Sequence, residues 1–397
     1  MNSTSEAIII GGGIVGASVA HYLALKGMKG VVLLEKEAIA SGATGRTGGL
    51  VRMHYANRAE TQMALWSRSV FQRWGELIGG DSGFRQTGFV CIVGPHDVEG
   101  LHRVVAMQRE VGVRQEVLSP AGLKKLLPAW EVSDVGTATY EPESGHADGY
   151  AAATSMARRA EELGVSVRQG VAATRIVVSK GRVTGVETSD GRIDSPVVAL
   201  AAGAWSGPLA RTAGVELPLD GVMLSVGVLE RPPALSALHP ACIDHAGGIY
   251  FRPDSANLTL LGDSGFEERT APTADVESFP SEPTGGWMVD TATRMTRRIP
   301  GMADALWRRT WTGVDGRTPD GCMIVGLAPG VDGLYLACGM NGHGFKTGPA
   351  VGIAVAEHIM DGRATTVDIS SFRPTRFAEG QPIVGLHEYT PSKRTLD

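Results

Sequence analysis

The chain has 397 residues, 43% of them hydrophobic and 20% charged, and a formal net charge of −5. That length accommodates two domains and a sizeable core. The acidic balance leaves no basic footprint, which argues against nucleic acid as a main partner, and no run of about 18 apolar residues is present to span a bilayer.

The first element is an apolar run, Ala7–Ile10, which predicts a strand. Gly11, Gly13 and Gly16 follow with the spacing G-x-G-x-x-G, and a helical pattern runs on to about Lys26. A second apolar run, Gly30–Leu34, ends on Glu35, 19 residues after Gly16. Strand, glycine turn, helix, strand and acid together form a site for the ADP half of a dinucleotide. Gly11 allows the tight turn, Gly13 lets the backbone approach a pyrophosphate, and Gly16 lets the helix pack on the sheet. The helix N-terminus offers free N–H groups and positive dipole to the phosphates. Glu35 accepts hydrogen bonds from ribose hydroxyls, and its charge disfavours a 2′-phosphate and hence NADP. The segment before this unit, Met1–Glu6, has no basic or apolar leader character, which makes a cytoplasmic location the expectation.

A glycine-rich loop follows at Ser41–Gly49, then a helix at about Ala59–Leu77. Phe84–Val93 reads as a strand, and Val98–Val111 and Pro120–Leu127 as helices. Ala151–Leu163 is an amphipathic helix followed by a strand at Val165–Gln169. Thr174–Ser179 and Val183–Thr188 form a hairpin around Gly181-Arg182, with another turn at Asp190-Gly191. Pro196–Ala202 suits a buried parallel strand. Val222–Glu230, Gly248–Arg252 and Leu258–Gly262 read as strands, Arg269–Gly286 as loop, and Asp290–Ile299 as helix. Leu334–Ala337 is a short strand, Gly339–Gly344 a loop, and Thr347–Met360 a helix with Pro349 near its first turn and Gly362 past its end. Residues after about 375 read as a tail. The four cysteines, Cys91, Cys242, Cys322 and Cys338, lack C-x-x-C spacing and suit buried thiols, not a disulfide frame or metal site.

Four segments carry a resemblance. They are Ile10-Gly11-Gly12-Gly13-Ile14-Val15-Gly16 with Glu35-Lys36; Ser41-Gly42-Ala43-Thr44-Gly45-Arg46; Ala201-Ala202-Gly203-Ala204-Trp205-Ser206; and Thr318-Pro319-Asp320-Gly321 with Gly339-Met340-Asn341-Gly342-His343-Gly344-Phe345-Lys346. In this order the chain resembles the D-amino-acid oxidase/sarcosine oxidase family of FAD-dependent oxidoreductases over about residues 6–375, and is most similar to its sarcosine oxidase β-subunit and proline dehydrogenase β-subunit branch.

The resemblance implies an α/β fold with a Rossmann-like FAD-binding domain (1–83, 149–220 and 316–375) interleaved with a second α+β substrate domain on a mixed sheet (84–148 and 221–315), and a tail at 376–397. It implies oxidation of the C–N bond of an amino acid or N-alkyl amino acid, sarcosine- or proline-like, by hydride transfer to flavin, with hydrolysis of the imine. FAD would meet Gly11, Gly13, Ile14, Val15, Gly16, Glu35, Lys36, Ala43, Thr44, Arg46, Gly203, Trp205, Gly342, Gly344, Phe345 and Lys346. Arg52 and Lys346 match cations that bind a substrate carboxylate, and His343 would make a polar contact at the flavin face. Tyr250, Arg252, Asp315 and Arg317 are further substrate-side candidates.

Departures from the family pattern also carry meaning. A carboxylate-binding arginine of glycine and D-amino-acid oxidases falls at Asp315. The tethering cysteine of monomeric sarcosine oxidase falls near Gly313, and the tethering histidine of dimethylglycine dehydrogenases at Arg46. Noncovalent FAD is therefore expected. The oxygen-activating lysine falls near Leu260, which leaves oxygen or another electron acceptor open. Two alternatives remain: an amine dehydrogenase with a non-oxygen acceptor, and a catalytically silent flavin-binding subunit of a hetero-oligomer. A homo-oligomer is also compatible with the sequence.

Overall fold

The computed structural model describes residues 3–235, 238–263 and 276–389. It is a mixed α/β fold with two principal sheets. The first has six strands in the order 324–327, 334–338, 198–200, 7–10, 31–35, 166–169. All neighbours are parallel except the edge pair 324–327/334–338. Ile10 lies between Leu34 and Leu200, so the three central strands end together at one edge. Their fully buried, near-continuous apolar sequences are what a parallel sheet covered on both faces requires. On one face pack the first helix (Ile14–Leu25), the helix Gly149–Glu162 and the last helix (Gly344–Asp361). A small sheet containing the hairpin 173–179/182–188 and the strand 191–194 covers the other face.

The second sheet has eight strands in the order 306–317, 220–230, 258–263, 249–253, 241–244, 89–93, 137–141, 116–118. Only 241–244 and 89–93 run parallel. Side chains alternate between its faces: Phe251 joins the core under the helix Gly285–Arg298, whereas Tyr250 turns to the opposite face.

Several boundaries differ from the sequence reading. The strand expected from Phe84 begins at Phe89, because Gly88 takes a left-handed φ of +78° just before it. The expected helix 59–77 is two helices, Arg58–Gln72 and Trp74–Leu77, broken at Arg73. The helix read from Asp290 begins at Gly285, where Thr284 Oγ1 accepts from Trp287 N at 3.2 Å. Of the loop read as Arg269–Gly286, residues 269–275 lie outside the described residues. The last helix starts at Gly344, not Thr347, so Pro349 sits inside it. The segment from 376 to 389 packs on the body: Arg376 is fully buried on Asp320 at 2.7 Å, and His387 bonds Asp97 at 2.6 Å.

All four cysteines are buried and unbridged. Among the described residues no helix is long and apolar enough to cross a membrane, and no group of residues is arranged to hold a metal ion.

Candidate active site

The glycine turn closes the carboxyl end of the first strand. Gly11 has φ +112°, and a Cβ there would lie 2.4 Å from Ala201 O. A Cβ on Gly16 would lie 1.9 Å from Gly11 O, so only glycine lets the helix start this close to the sheet. Glu35 Oε2 accepts from Gly12 N at 2.8 Å and Oε1 from Glu37 N at 2.9 Å, which places the carboxylate beside the turn. Ile14 N donates to Thr44 Oγ1 at 3.1 Å, whereas the N–H groups of Val15 and Gly16 have no acceptor among the described residues. The helix therefore begins with no side-chain cap on Gly13, an open glycine face, free donors and a positive dipole end. These features fit a pyrophosphate, with the Glu35 carboxylate beside the turn. Lys36 Nζ lies 4.2 Å from the Trp205 ring centroid, and Gly203 takes φ +55° in the turn leading to it.

The loop 41–49 runs from this cradle to the second sheet. Arg46 Nη1 donates to Gly42 O at 3.2 Å, and Trp311 Nε1 donates to Arg46 O at 3.1 Å. A Cβ on Gly313 would stand 3.0 Å from Arg46 Cδ. Arg252 Nε donates to Gly48 O at 2.6 Å, and Tyr250 packs so tightly on Gly48 that a Cβ there would meet the ring at 2.6 Å. Arg252 is thus engaged in holding the loop.

Beyond the loop, three elements bring a polar cluster together. Arg52 follows the short strand Leu50–Val51, and its guanidinium stands 4.4 Å from the Tyr55 ring centroid. It donates from Nη1 to His54 O, while its Nε is buried without a partner. Lys346, in the first turn of the last helix, is buried with Nζ 5.7 Å from the same ring and 3.1 Å from Gly342 O. Burial, together with the Arg52 charge, holds its ammonium well below the usual lysine range, against the pull of Glu60 and Asp315. His343 meets the Tyr55 ring edge-on at 4.8 Å. Its Nδ1 lies 2.7 Å from Oε1 of the buried Glu60, near the start of the second helix (Arg58–Gln72). Asp315 is 3.3 Å from Arg317 Nε, and a Cβ on Gly342 would lie within 3.8 Å of both side chains. Asn341, at φ +51°, accepts from Thr318 N at 3.0 Å and so ties the end of strand 306–317 to the start of the last helix.

Comparison with known proteins decides the family. The model of the family described as DAO, FAD dependent oxidoreductase, matches residues 6–358. The chain belongs to the DAO family of FAD-dependent oxidoreductases. It is 31% identical to mitochondrial sarcosine dehydrogenase of Homo sapiens over 91% of this chain and 40% of that protein. It is 27% identical to sarcosine oxidase subunit beta of Rhodobacter capsulatus over 95% of this chain and 89% of that one. Its structure matches L-proline dehydrogenase from P. horikoshii with a TM-score of 0.89 and 28% identity, covering 96% of this chain and 100% of that one. The chain spans less than half the length of the first curated relatives it matches.

Within this DAO-family site, Tyr55 and Glu60 are the residues that sequence reasoning missed. Tyr55 is the common wall of Arg52, Lys346 and His343. Its signal was its place three residues after Arg52. Glu60 reads locally as a helix cap, because Asn57 is the N-cap and accepts from Glu60 N at 2.9 Å.

Lys346→Met is expected to raise thermal stability at pH 7 by about 1–3 kcal/mol, the range for burying a polar group that is not fully hydrogen-bonded. The sign follows from protonation. The folded Lys346 pKa lies below its ordinary value of about 10.5, so the unfolded chain binds more protons between the two values. Wild-type stability therefore rises with pH through that window, and the methionine variant loses that rise. Melting temperatures of both proteins across a pH series check this.

Proposed function

We propose that the chain oxidises the C–N bond of an amino acid or N-alkyl amino acid, sarcosine- or proline-like. The observation that carries this reading is the placement of two cations, Arg52 and Lys346, against one face-forming aromatic, Tyr55, with the imidazole of His343 at its edge. A planar guanidinium offers two parallel hydrogen bonds to a carboxylate, and the lysine adds a point charge. A bound carboxylate would return Lys346 to its charged form. The amine end would then lie toward His343.

Gly11, Gly13, Ile14, Val15 and Gly16 would hold the FAD pyrophosphate, and Glu35 the ribose. Lys36 and Trp205 would flank the nucleotide end. Ala43, Thr44 and Arg46 would lead toward the flavin, with Gly203, Gly342, Gly344 and Phe345 beside it. The flavin, when bound, accepts a hydride from the carbon next to nitrogen, and the imine product is then hydrolysed in water. Contact between Arg46 and Gly313 supports noncovalent binding: neither side chain is a nucleophile, and Arg46 fills the space a larger residue at 313 would need. Leu260 is buried opposite Arg252 in the sheet, and oxygen or another electron acceptor fits this reading.

The division into an FAD-binding domain (1–83, 149–220, 316–375) and a substrate domain (84–148, 221–315) belongs to the same reading, and the strands of the two sheets support it. A cytoplasmic location and a homo- or hetero-oligomeric assembly are further parts of this proposal.

The test is anaerobic mixing of the purified flavoprotein with sarcosine, proline and N-alkyl glycines. Bleaching of the flavin absorbance by one of them, but not by its decarboxylated analogue, is the expected result. No bleaching by any amine would overturn the reading. Hydrogen peroxide formed in air separates oxidase from dehydrogenase.

A further inference from the structure

Glu60 is 2% exposed, yet it points at the site and not along its own helix. Oε1 faces His343 Nδ1 at 2.7 Å and Oε2 takes Asn57 Nδ2 at 2.5 Å, with Cys322 Sγ 3.9 Å away. Burial would raise the carboxyl, but His343, the Asn57 amide and Arg52 outweigh it and hold Glu60 below its ordinary value. Its position in the first turn of a helix also favours the charge. An ionised carboxylate can only accept, so the hydrogen of a neutral imidazole must sit on Nδ1. The groups facing His343 are Glu60 from the second helix, Lys346 from the last helix, and Arg52 and Tyr55 from the segment between strand and helix. Burial, with the Lys346 and Arg52 charges, keeps His343 below its ordinary value despite Glu60. That leaves the lone pair on Nε2, which has no hydrogen-bond partner among the described residues, on a side chain that is 23% exposed.

We propose that Glu60 is a positioning residue that fixes His343 as the Nδ1–H tautomer, so that Nε2 takes the proton from the ammonium form of the amine substrate. This rests on the amine reading above. One N–H bond of the substrate ammonium breaks, an Nε2–H bond forms, and the electron pair stays on the substrate nitrogen, ready for oxidation. The imidazolium charge is met by the Glu60 carboxylate, and the proton then leaves to water. No redox change accompanies this step. The arrangement is a base oriented by a carboxylate behind it.

Two readouts on the FAD-loaded full chain test it. Nitrogen-15 spectra of labelled histidines, with His343→Gln to assign the signal, should show the Nδ1–H tautomer at pH 7 in the wild type. They should also show a lowered His343 titration midpoint in Glu60→Gln. Anaerobic flavin reduction by the best amine should fall about tenfold in Glu60→Gln at pH 7, within the range for one positioned acid–base group. It should recover to within about twofold at high pH, where the substrate amine is already free, with KM changed by less than about twofold. His343→Gln should show the same pH-dependent loss, and the double variant no further loss. An Nε2–H tautomer in the wild type, or an equal rate loss at every pH, would overturn the proposal. If no amine reduces the flavin, the amine reading and the proton transfer fail together, while the imidazole spectra still report whether Glu60 sets the tautomer.

Discussion

Arg52→Met is expected to raise the KM of an amino-acid substrate about a hundredfold while changing kcat by less than about threefold. Two factors of ten correspond to about 2.7 kcal/mol, the scale of a buried charge-assisted pair. Arg52 is held in place before any ligand arrives: Tyr55 lies under its guanidinium at 4.4 Å and Phe89 at 5.8 Å, and His54 O anchors one nitrogen. Its buried Nε still lacks an acceptor, which a carboxylate would supply. Methionine keeps the packing over the ring and removes only the fork. Arg52→Lys should recover little, because a point charge cannot make two parallel bonds. Steady-state kinetics with an amino acid and with its decarboxylated amine check this. An unchanged KM for the amino acid would remove Arg52 from the site.

Gly13→Val is expected to leave the chain folded and strip it of FAD, with a rise in Kd of at least about a hundredfold. Gly13 has φ −74°, a conformation open to any residue, so the backbone carries no strain. The new Cβ would stand 3.0 Å from Thr44 Oγ1 and its methyls would fill the face where the pyrophosphate approaches. Gly11 and Gly16 make poorer tests, because side chains there collide with backbone carbonyls and break the fold itself. Flavin absorbance after purification, a circular dichroism spectrum and titration with added FAD check the prediction. The colourless protein should also melt earlier, since it forgoes the stabilisation of a ligand that binds only the folded state.

The first sheet was legible in the sequence because its strands are short apolar runs bounded by glycine turns, as Ala7–Ile10 and Val198–Leu200 show. The longest strand, Leu306–Arg317, was not. It carries three arginines, two glycines and an aspartate, and its first half is largely exposed, so no simple alternation survives. Its stability comes from pairing along the whole of 220–230, a tertiary fact. Ala241–Asp244 was missed for the opposite reason: four residues are too few to show a period.

The site divides in the same way. The dinucleotide cradle is written in contiguous residues and could be read directly. Arg52, His343 and Lys346 came from motif resemblance, and the structure brings all three around Tyr55. Glu60 was invisible because its partner is 283 positions away along the chain. Arg252 was read as a substrate-side candidate, and the structure gives its Nε to Gly48 O. The C-terminal segment was read as a tail because it lacks apolar periodicity. Isolated contacts hold it, among them Tyr389 on His54 at 2.8 Å and Ile383 N on Asp320 at 3.0 Å, with Phe377, Ile383 and Tyr389 each packed on a separate apolar cluster.

The loop 41–49 hangs between two sheets, fastened at Arg46 by Trp311 and at Gly48 by Arg252. A designer who wished to transplant the eight-stranded half from a relative, to change what the enzyme accepts, would inherit this joint. The donor's equivalents of Tyr250, Arg252, Trp311 and Gly313 would have to travel with its own version of the loop, although that loop lies more than 200 residues earlier in the chain. A graft cut at the sheet boundary alone would leave the passage to the flavin without its supports.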